Sequence, residues 1–426
     1  MILQRLAVAV FVLASAFVST TAAARDLSLA EAERLLGEHN RELTAARRAV
    51  ESAGAEREIA AVRPNPTLSF NSSSISSSPG TGPGALYQKR IDSILRIDQP
   101  FERGGKRELR MDAAEGLERA ARGDSLDALR IQLVALRNAY YDLKQAEEKV
   151  AVLAETAQLF GRTLAAAQVR LKAGDLAAAD VSKVQVDHER AQNDARTAQA
   201  DQVRAQLALG YLIGDERGAP TLRASDPWPA IERPDAAAVE RAIGQAVETR
   251  PDVAAAKARV AAAEKLRDLA RSQQTRDITL GAQYEHYPSN SPNDSIGFGI
   301  SLPLFTGNDF SGDIRRAEVD RYSALDALER ARAIAGADVR RAASDLAATA
   351  ERLDRYDSSL LEAAQRTAQA VEFAFQRGAT SVLEVLDARR TLRAVRLEAL
   401  AARTDYAKAL AAWRASLTTV DLRGEK

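Results

Sequence analysis

RELTAARRAVESAGAEREIAAVRPNPTLSF, residues 41 to 70, aligns with PDVAAAKARVAAAEKLRDLARSQQTRDITL, residues 251 to 280, at an offset of 210. Farther on, Pro100 matches Pro303 at an offset of 203, and VRLKAGDLAAADV (169–181) matches FAFQRGATSVLEV (373–385) at 204. A chain that repeats on this scale is two copies of one unit, so any apolar face the unit cannot cover is present twice. The drop in offset leaves the first copy about seven residues longer, the size of a variable loop. Between the copies, GDERGAPTLRASDPWPAIERPD (214–235) carries four prolines and reads as a linker. The repeats therefore run over 25–213 and 236–417, with 418–426 as a tail.

All 13 prolines avoid 101–219 and 304–426, two intervals rich in Ala, Leu, Arg, Glu and Gln. Within them Leu126, Leu129, Leu133, Leu136, Tyr140 and Leu143 alternate spacings of three and four, and Leu346, Leu353 and Leu360 recur every seven, as in coiled coils. A single helix from Gly104 to Ala173 would span roughly 105 Å, far more than a globular core requires. Gly174 and Gly378 interrupt the intervals at matching points, where glycine permits the reversal that sends a second helix back antiparallel. Each repeat thus contains a long helical hairpin, about 104–213 and about 307–417. Ahead of them, Ser28 with Glu31 forms a capping box for a helix from Ala30 to Val62, and its counterpart begins near Asp235.

Between short and long helices each repeat has a β-region, about 67–100 and about 277–303. In the second, Ile278, Leu280, Ala282 and Tyr284 alternate with smaller or polar residues, as do Ile296, Phe298, Ile300 and Leu302. PGTGPGA (79–85) and SNSPN (289–293) supply turns. Strands of about ten residues are long enough to cross a membrane when tilted. On the strand pattern alone a soluble hairpin packed on its own helices is the favoured reading; an export signal, the duplication of the hairpin and helices too long for a compact core stand against it. Four membrane strands cannot close alone, because an open edge in hydrocarbon leaves backbone groups unpaired, so several copies would have to pool them.

The N-terminus decides the compartment. Arg5 precedes an apolar run from Leu6 to Val18 and then Ala22-Ala23-Ala24, the pattern of an export signal cleaved after Ala24. A spanning anchor would need ~20 apolar residues. The balance of 59 basic and 59 acidic side chains argues against nucleic acid as a partner, and the absence of cysteine removes disulfides and thiolate chemistry.

NPTLSF, the hairpin, QPFERGGKR and a long helical hairpin ending at a glycine, all in duplicate, together with RGATSVLEVLDARRTL (377–392), resemble the TolC-like outer-membrane efflux proteins. QPFERGGKR is most similar to the heavy-metal branch that serves cobalt, zinc, cadmium or copper pumps. The resemblance implies a mainly α fold with a transmembrane β part: a homotrimer whose twelve strands form a barrel in the outer membrane and whose helices form a periplasmic α-barrel. It implies a passive exit duct, not an enzyme, docked to a periplasmic adaptor and an inner-membrane pump of the RND type. It makes Pro100, Gly104, Gly105, Pro303 and Gly307 the passages from strand to helix. Pro100 and Pro303 end the ladder there, while the glycines free the backbone. Asp180, Glu384 and Asp387 become carboxylates of the periplasmic aperture; solvated helix faces are the plainer alternative. The family's closing pair, an Arg two residues after the second turn's glycine and a Tyr three before it, is replaced here by Thr380 and Phe375.

Signals for other chemistry are weak. His39, His188 and His286 fall in three different elements without metal-binding spacing, and the glycine-rich stretches at 80–84 and 104–107 lack the Lys-Ser/Thr ending of a phosphate loop. No cofactor is expected, and a metal substrate would be conducted rather than coordinated. A periplasmic structural coiled-coil protein and the exit duct of a type I protein secretion system are the competing readings.

Overall fold

The computed structural model describes residues 25–73, 91–287 and 292–417. The export signal over 1–24, the turn at 79–85, residues 289–291 of SNSPN and the tail at 418–426 lie outside the described residues. Strand β1 (Arg25–Leu27) leads into helices α1 (Leu29–His39) and α2 (Arg41–Ala61), strands β2 (Thr67–Ser73) and β3 (Asp92–Phe101), and helices α3 (Lys106–Lys172) and α4 (Ala178–Ile213). After β4 (Leu222–Ala224) the order returns as α5 (Ala236–Thr249), α6 (Pro251–Ser272), β5 (Ile278–His286), β6 (Asp294–Ser301), α7 (Ser311–Arg355), α8 (Leu361–Gln376) and α9 (Val382–Leu417).

Local chemistry sets most of these limits. The Ser28 hydroxyl accepts the Glu31 amide at 3.2 Å and starts α1, and the Asp235 carboxylate caps α5 through Ala238 at 2.5 Å. The long helices α3 and α8 stop at Gly174 and Gly378, with φ of +82° and +75°. In each turn the amide after the glycine bonds a carbonyl five residues back, Asp175 to Arg170 and Ala379 to Ala374, both at 2.9 Å. The glycine amides bond Leu171 and Phe375 at 3.1 and 3.0 Å, completing the same Schellman turn twice.

Two expectations need correction. The single helix expected from Ala30 to Val62 is broken at Asn40, whose ψ of 130° leaves the helical range. Asn40 is 3% exposed, and its amide donates to the Leu212 carbonyl at 3.0 Å, a partner far away in the chain. The same break recurs 210 residues later at Arg250, which Pro251 forces out of the α region. Arg250 is also buried. Its guanidinium forks onto Asp252 at 2.8 and 2.6 Å and reaches Asp338 at 3.1 Å. Burial pushes the Asp252 carboxyl up, but this guanidinium outweighs it and holds the group below the usual carboxylate range. The second correction concerns the sevenfold leucine row. Leu346 and Leu353 are buried, yet Leu360 is 45% exposed, because residues Tyr356–Leu360 form a π turn. The wider turn rotates the following side chains off the buried stripe.

The chain divides into two compact units, each drawing on both repeats. The first comprises residues 25–40 with Leu136–Ala230 and Arg352–Lys408. In it β1 pairs in parallel with β4, and the buried Tyr140 hydroxyl donates to the Leu27 carbonyl and accepts the Asp226 amide, both at 3.0 Å. The second comprises Arg41–Ala135, Ile231–Glu351 and residues 409–417. There α3 and α6 approach so closely that a Cβ on Gly116 or Gly123 would lie 2.9 Å from Ala262 or Ala255. The strands of this unit form one antiparallel sheet ordered β2-β3-β5-β6, joining the two repeats through β3 and β5.

Candidate functional site

The register of the sheet sorts its side chains into two faces. Leu68 lies opposite Ile97, Ile97 opposite Ala282, and Ala282 opposite Phe298; one step along, Phe70, Leu95, Tyr284 and Ile296 form a second apolar row. On the other face Ser69, Arg96, Gln283 and Gly297 align, as do Asn71, Ile94, Glu285 and Ser295. A hairpin packed on its own helices would bury the apolar face. Leu68, Phe70, Ile296, Phe298 and Ile300 are instead 62–86% exposed. An apolar outer face over a polar inner one is the pattern of a barrel wall in lipid, and β2 and β6 are left as open edges that require further strands. Among the described residues no helix is long and apolar enough to cross a membrane.

The first strand-to-helix passage is a polar lock. Gly104 and Gly105 have φ of +72° and +69°, and a Cβ on Gly104 would sit 2.9 Å from the Thr275 side chain. The reversal buries Lys106, whose ammonium donates to the Thr275 carbonyl at 2.9 Å and to Asp277 at 2.8 Å. Arg107 donates to the Ala61 carbonyl at 2.7 Å, so QPFERGGKR stitches α3 to the ends of α2 and α6. Pro100 does not end the ladder: it pairs with Thr279 inside β3, one residue before the strand stops. The second passage is built differently. Gly307 takes no left-handed conformation; Phe310 does, with φ of 62°, held by the Asn308 carboxamide at 2.9 Å and by edge-on packing against Phe305 at 5.0 Å. Pro303 lies two residues beyond the end of β6.

In the other unit, the helical turns sit on a small apolar cluster of Phe160, Ala167, Val181, Val184, Val382 and Leu386, against which Phe375 packs. Phe375, at the position of the missing Tyr, also lies under the Arg170 guanidinium at 4.7 Å. Thr380, at the position of the missing Arg, donates its hydroxyl to the Glu384 carboxylate. The Glu384 amide donates to Ser381 at 3.3 Å, which caps α9. Glu384 and Asp387, three residues apart, share one groove of about 600 Å³ between α8 and α9, floored by Leu360, Val371, Leu383 and Val395. Asp180 is not part of that groove; on the first turn of α4 it binds Lys183 at 3.2 Å.

A ladder of arginines on α9 escapes a reading of the sequence alone. Arg390 donates to both carboxylate oxygens of Asp187 on α4, at 2.7 and 2.6 Å, and the Asp187 side chain is only 7% exposed. Arg389 bonds Thr163 and the Leu159 carbonyl on α3 and Glu372 on α8, the last at 2.5 Å. Arg393 and Arg396 pair with Asp194 and Glu155, both at 2.9 Å. Their positions along one helix are visible in the sequence, but apart from Glu372 their partners are 199–241 residues distant. Each rung ties the second repeat's returning helix to the first repeat's hairpin. Among the described residues no cluster of His, Asp and Glu could hold a metal ion.

A sheet that is apolar outside and polar inside, carried with duplicated helical hairpins, defines the protomer of an outer-membrane channel. The chain belongs to the outer membrane efflux protein family, whose model matches residues 34–215 and 242–419. It is similar to the cobalt-zinc-cadmium resistance protein CzcC of Cupriavidus metallidurans, 28% identical over 89% of this chain and 87% of the relative. Its fold is that of the outer-membrane channel OprN, with a TM-score of 0.75 at 20% identity over 91% of this chain and 89% of that one. The Neisseria gonorrhoeae MtrE channel gives 0.74 at 19% identity, covering 91% and 88%.

Proposed function

We propose that three copies of this chain close a twelve-stranded barrel and pool their helical hairpins into the exit duct of a tripartite efflux system, passing heavy-metal cations outward without enzymatic chemistry. The sheet carries this reading: its apolar face is exposed and its two edges are open, so it is complete only when strands of further copies join it. Similarity to a cobalt-zinc-cadmium resistance protein favours divalent metals as cargo, and the family resemblance supports a periplasmic adaptor and an inner-membrane pump of the RND type as partners. Cleavage after Ala24 delivers the chain to the periplasm. Asp180, Glu384 and Asp387 line the aperture at the turns marked by Gly174 and Gly378. Its closed form is held by the arginine ladder of α9 in place of the Arg and Tyr that Thr380 and Phe375 replace.

The deciding measurement is the native mass of the mature protein extracted from outer membranes in mild detergent. A mass of three chains, beginning at Arg25, is expected; a detergent-independent soluble monomer would refute the barrel. A deletion strain should then become sensitive to cobalt, zinc or cadmium, and unchanged sensitivity would remove metals as the cargo.

A further inference from the structure

The polar face of the sheet carries a charged network that membrane insertion alone does not require. The Arg96 guanidinium grips Asp98 with two bonds, at 2.7 and 2.9 Å, and reaches Gln283 on β5 at 2.9 Å. The Gln283 amide passes the chain on to the Glu285 carboxylate, which also accepts the Ser295 hydroxyl at 3.1 Å. The network thus crosses three strands on one face.

Its charges are unequally compensated. Arg96 and Asp98 neutralise each other, whereas the bonds described for Glu285 come from an amide and a hydroxyl, neither of which brings an opposing charge. In the register, Glu285 stands opposite Ile94, two residues from Arg96 and so about 7 Å along the strand. That is within a Debye length at physiological salt, so a passing ion feels both groups.

The wall beneath is made of glycine. A Cβ on Gly281 would lie 2.4 Å from Asp98 Oδ1 and 2.7 Å from Arg96 Nη2. On β6, Gly297 and Gly299 leave similar room beside Gln283 and Arg96. Without side chains under it, the network lies flat against the sheet and leaves the space in front of it open.

We propose that this network is an ion-selectivity element of the barrel, in which Glu285 favours cations and Arg96 limits that preference by neutralising Asp98. The inference rests on the channel reading and assigns to the barrel wall a discrimination separate from that of the helical turns. Three copies would set a ring of Glu285 carboxylates around the lumen.

The test is reversal potential and conductance of the purified wild-type trimer and its variants in planar bilayers under a salt gradient. Glu285→Gln and Asp98→Asn should each lower the cation-to-anion permeability ratio, and Arg96→Gln should raise it, each by about two- to threefold. Gly281→Val should lower conductance by pushing the network off the wall. Opposite signs for Arg96→Gln and Asp98→Asn distinguish selectivity from a purely structural role, since both changes break the same ion pair. Trimers that conduct with wild-type selectivity in Glu285→Gln and Arg96→Gln overturn the proposal while leaving the channel intact. A wild-type trimer that does not conduct refutes the channel reading and this inference with it.

Discussion

Asp187→Asn tests what holds the helical hairpins together. The change keeps the shape of the side chain and removes its charge, so the apolar cluster around Val184 stays packed while the bond from Arg390 weakens. A hydrogen bond between charged groups contributes about 1.5–3 kcal/mol, and an exposed surface pair about 0.2–1 kcal/mol. Here Asp187 is 7% exposed and Arg390 51%, which places the pair at the lower edge of the first range, about 1.5 kcal/mol. If three protomers open together, the closed form loses about 4.5 kcal/mol, on the order of a thousandfold in the equilibrium. Single-channel recordings of purified trimers should then show long open events that the parent rarely makes. Arg390→Gln added to Asp187→Asn should change little more, because both remove one bond. Gating identical to the parent in Asp187→Asn would refute the ladder as the element that holds the aperture closed.

Three further outcomes follow from the structure. Burial pushes the Glu147 carboxyl above its usual value of 4.5 while it accepts the Ala224 amide at 3.3 Å. A raised folded value means that stability is full below about pH 4.5 and falls as pH rises through it, so Glu147→Gln should melt higher than the parent at about pH 8 and alike at about pH 4; equal melting at both would show the carboxyl to be solvated. Phe298→Arg places a charge on the apolar face and should destabilise the folded protein in vesicles by about 2–4 kcal/mol, whereas an unchanged denaturation midpoint would put that face in water. Gly104→Ala should cost about 1–2 kcal/mol for its left-handed backbone, with crowding against Thr275 in addition, while Gly307→Ala should stay within about 0.5 kcal/mol; equal effects in thermal unfolding would contradict the asymmetry of the two passages.

Several features were legible in the residues because they depend on near neighbours. The glycine turns at 174 and 378, the caps at Ser28 and Asp235 and the alternation in β5 and β6 each arise from interactions within a few positions, and the duplication displays each of them twice. Such signals also mislead where a distant partner intervenes. Asn40 looks like one more helical position until its amide meets Leu212, and Leu360 belongs to the leucine row until a π turn rotates it out. Pro100 looks like the end of a ladder, yet β3 carries on beyond it against β5.

The candidate site divides along the same line. Glu384 and Asp387 can be placed on one helical face by their spacing, and the structure gives them a common groove. The arginine ladder, the buried Lys106 and the network from Arg96 to Glu285 cannot be found that way, since their long-range partners lie 169–241 positions away in the chain. By itself the sequence determined which segments are helix, strand and turn, and that they come in two copies. Only the tertiary structure decided which copy meets which and on what face, because those choices depend on packing and charge pairing between surfaces that no local pattern encodes.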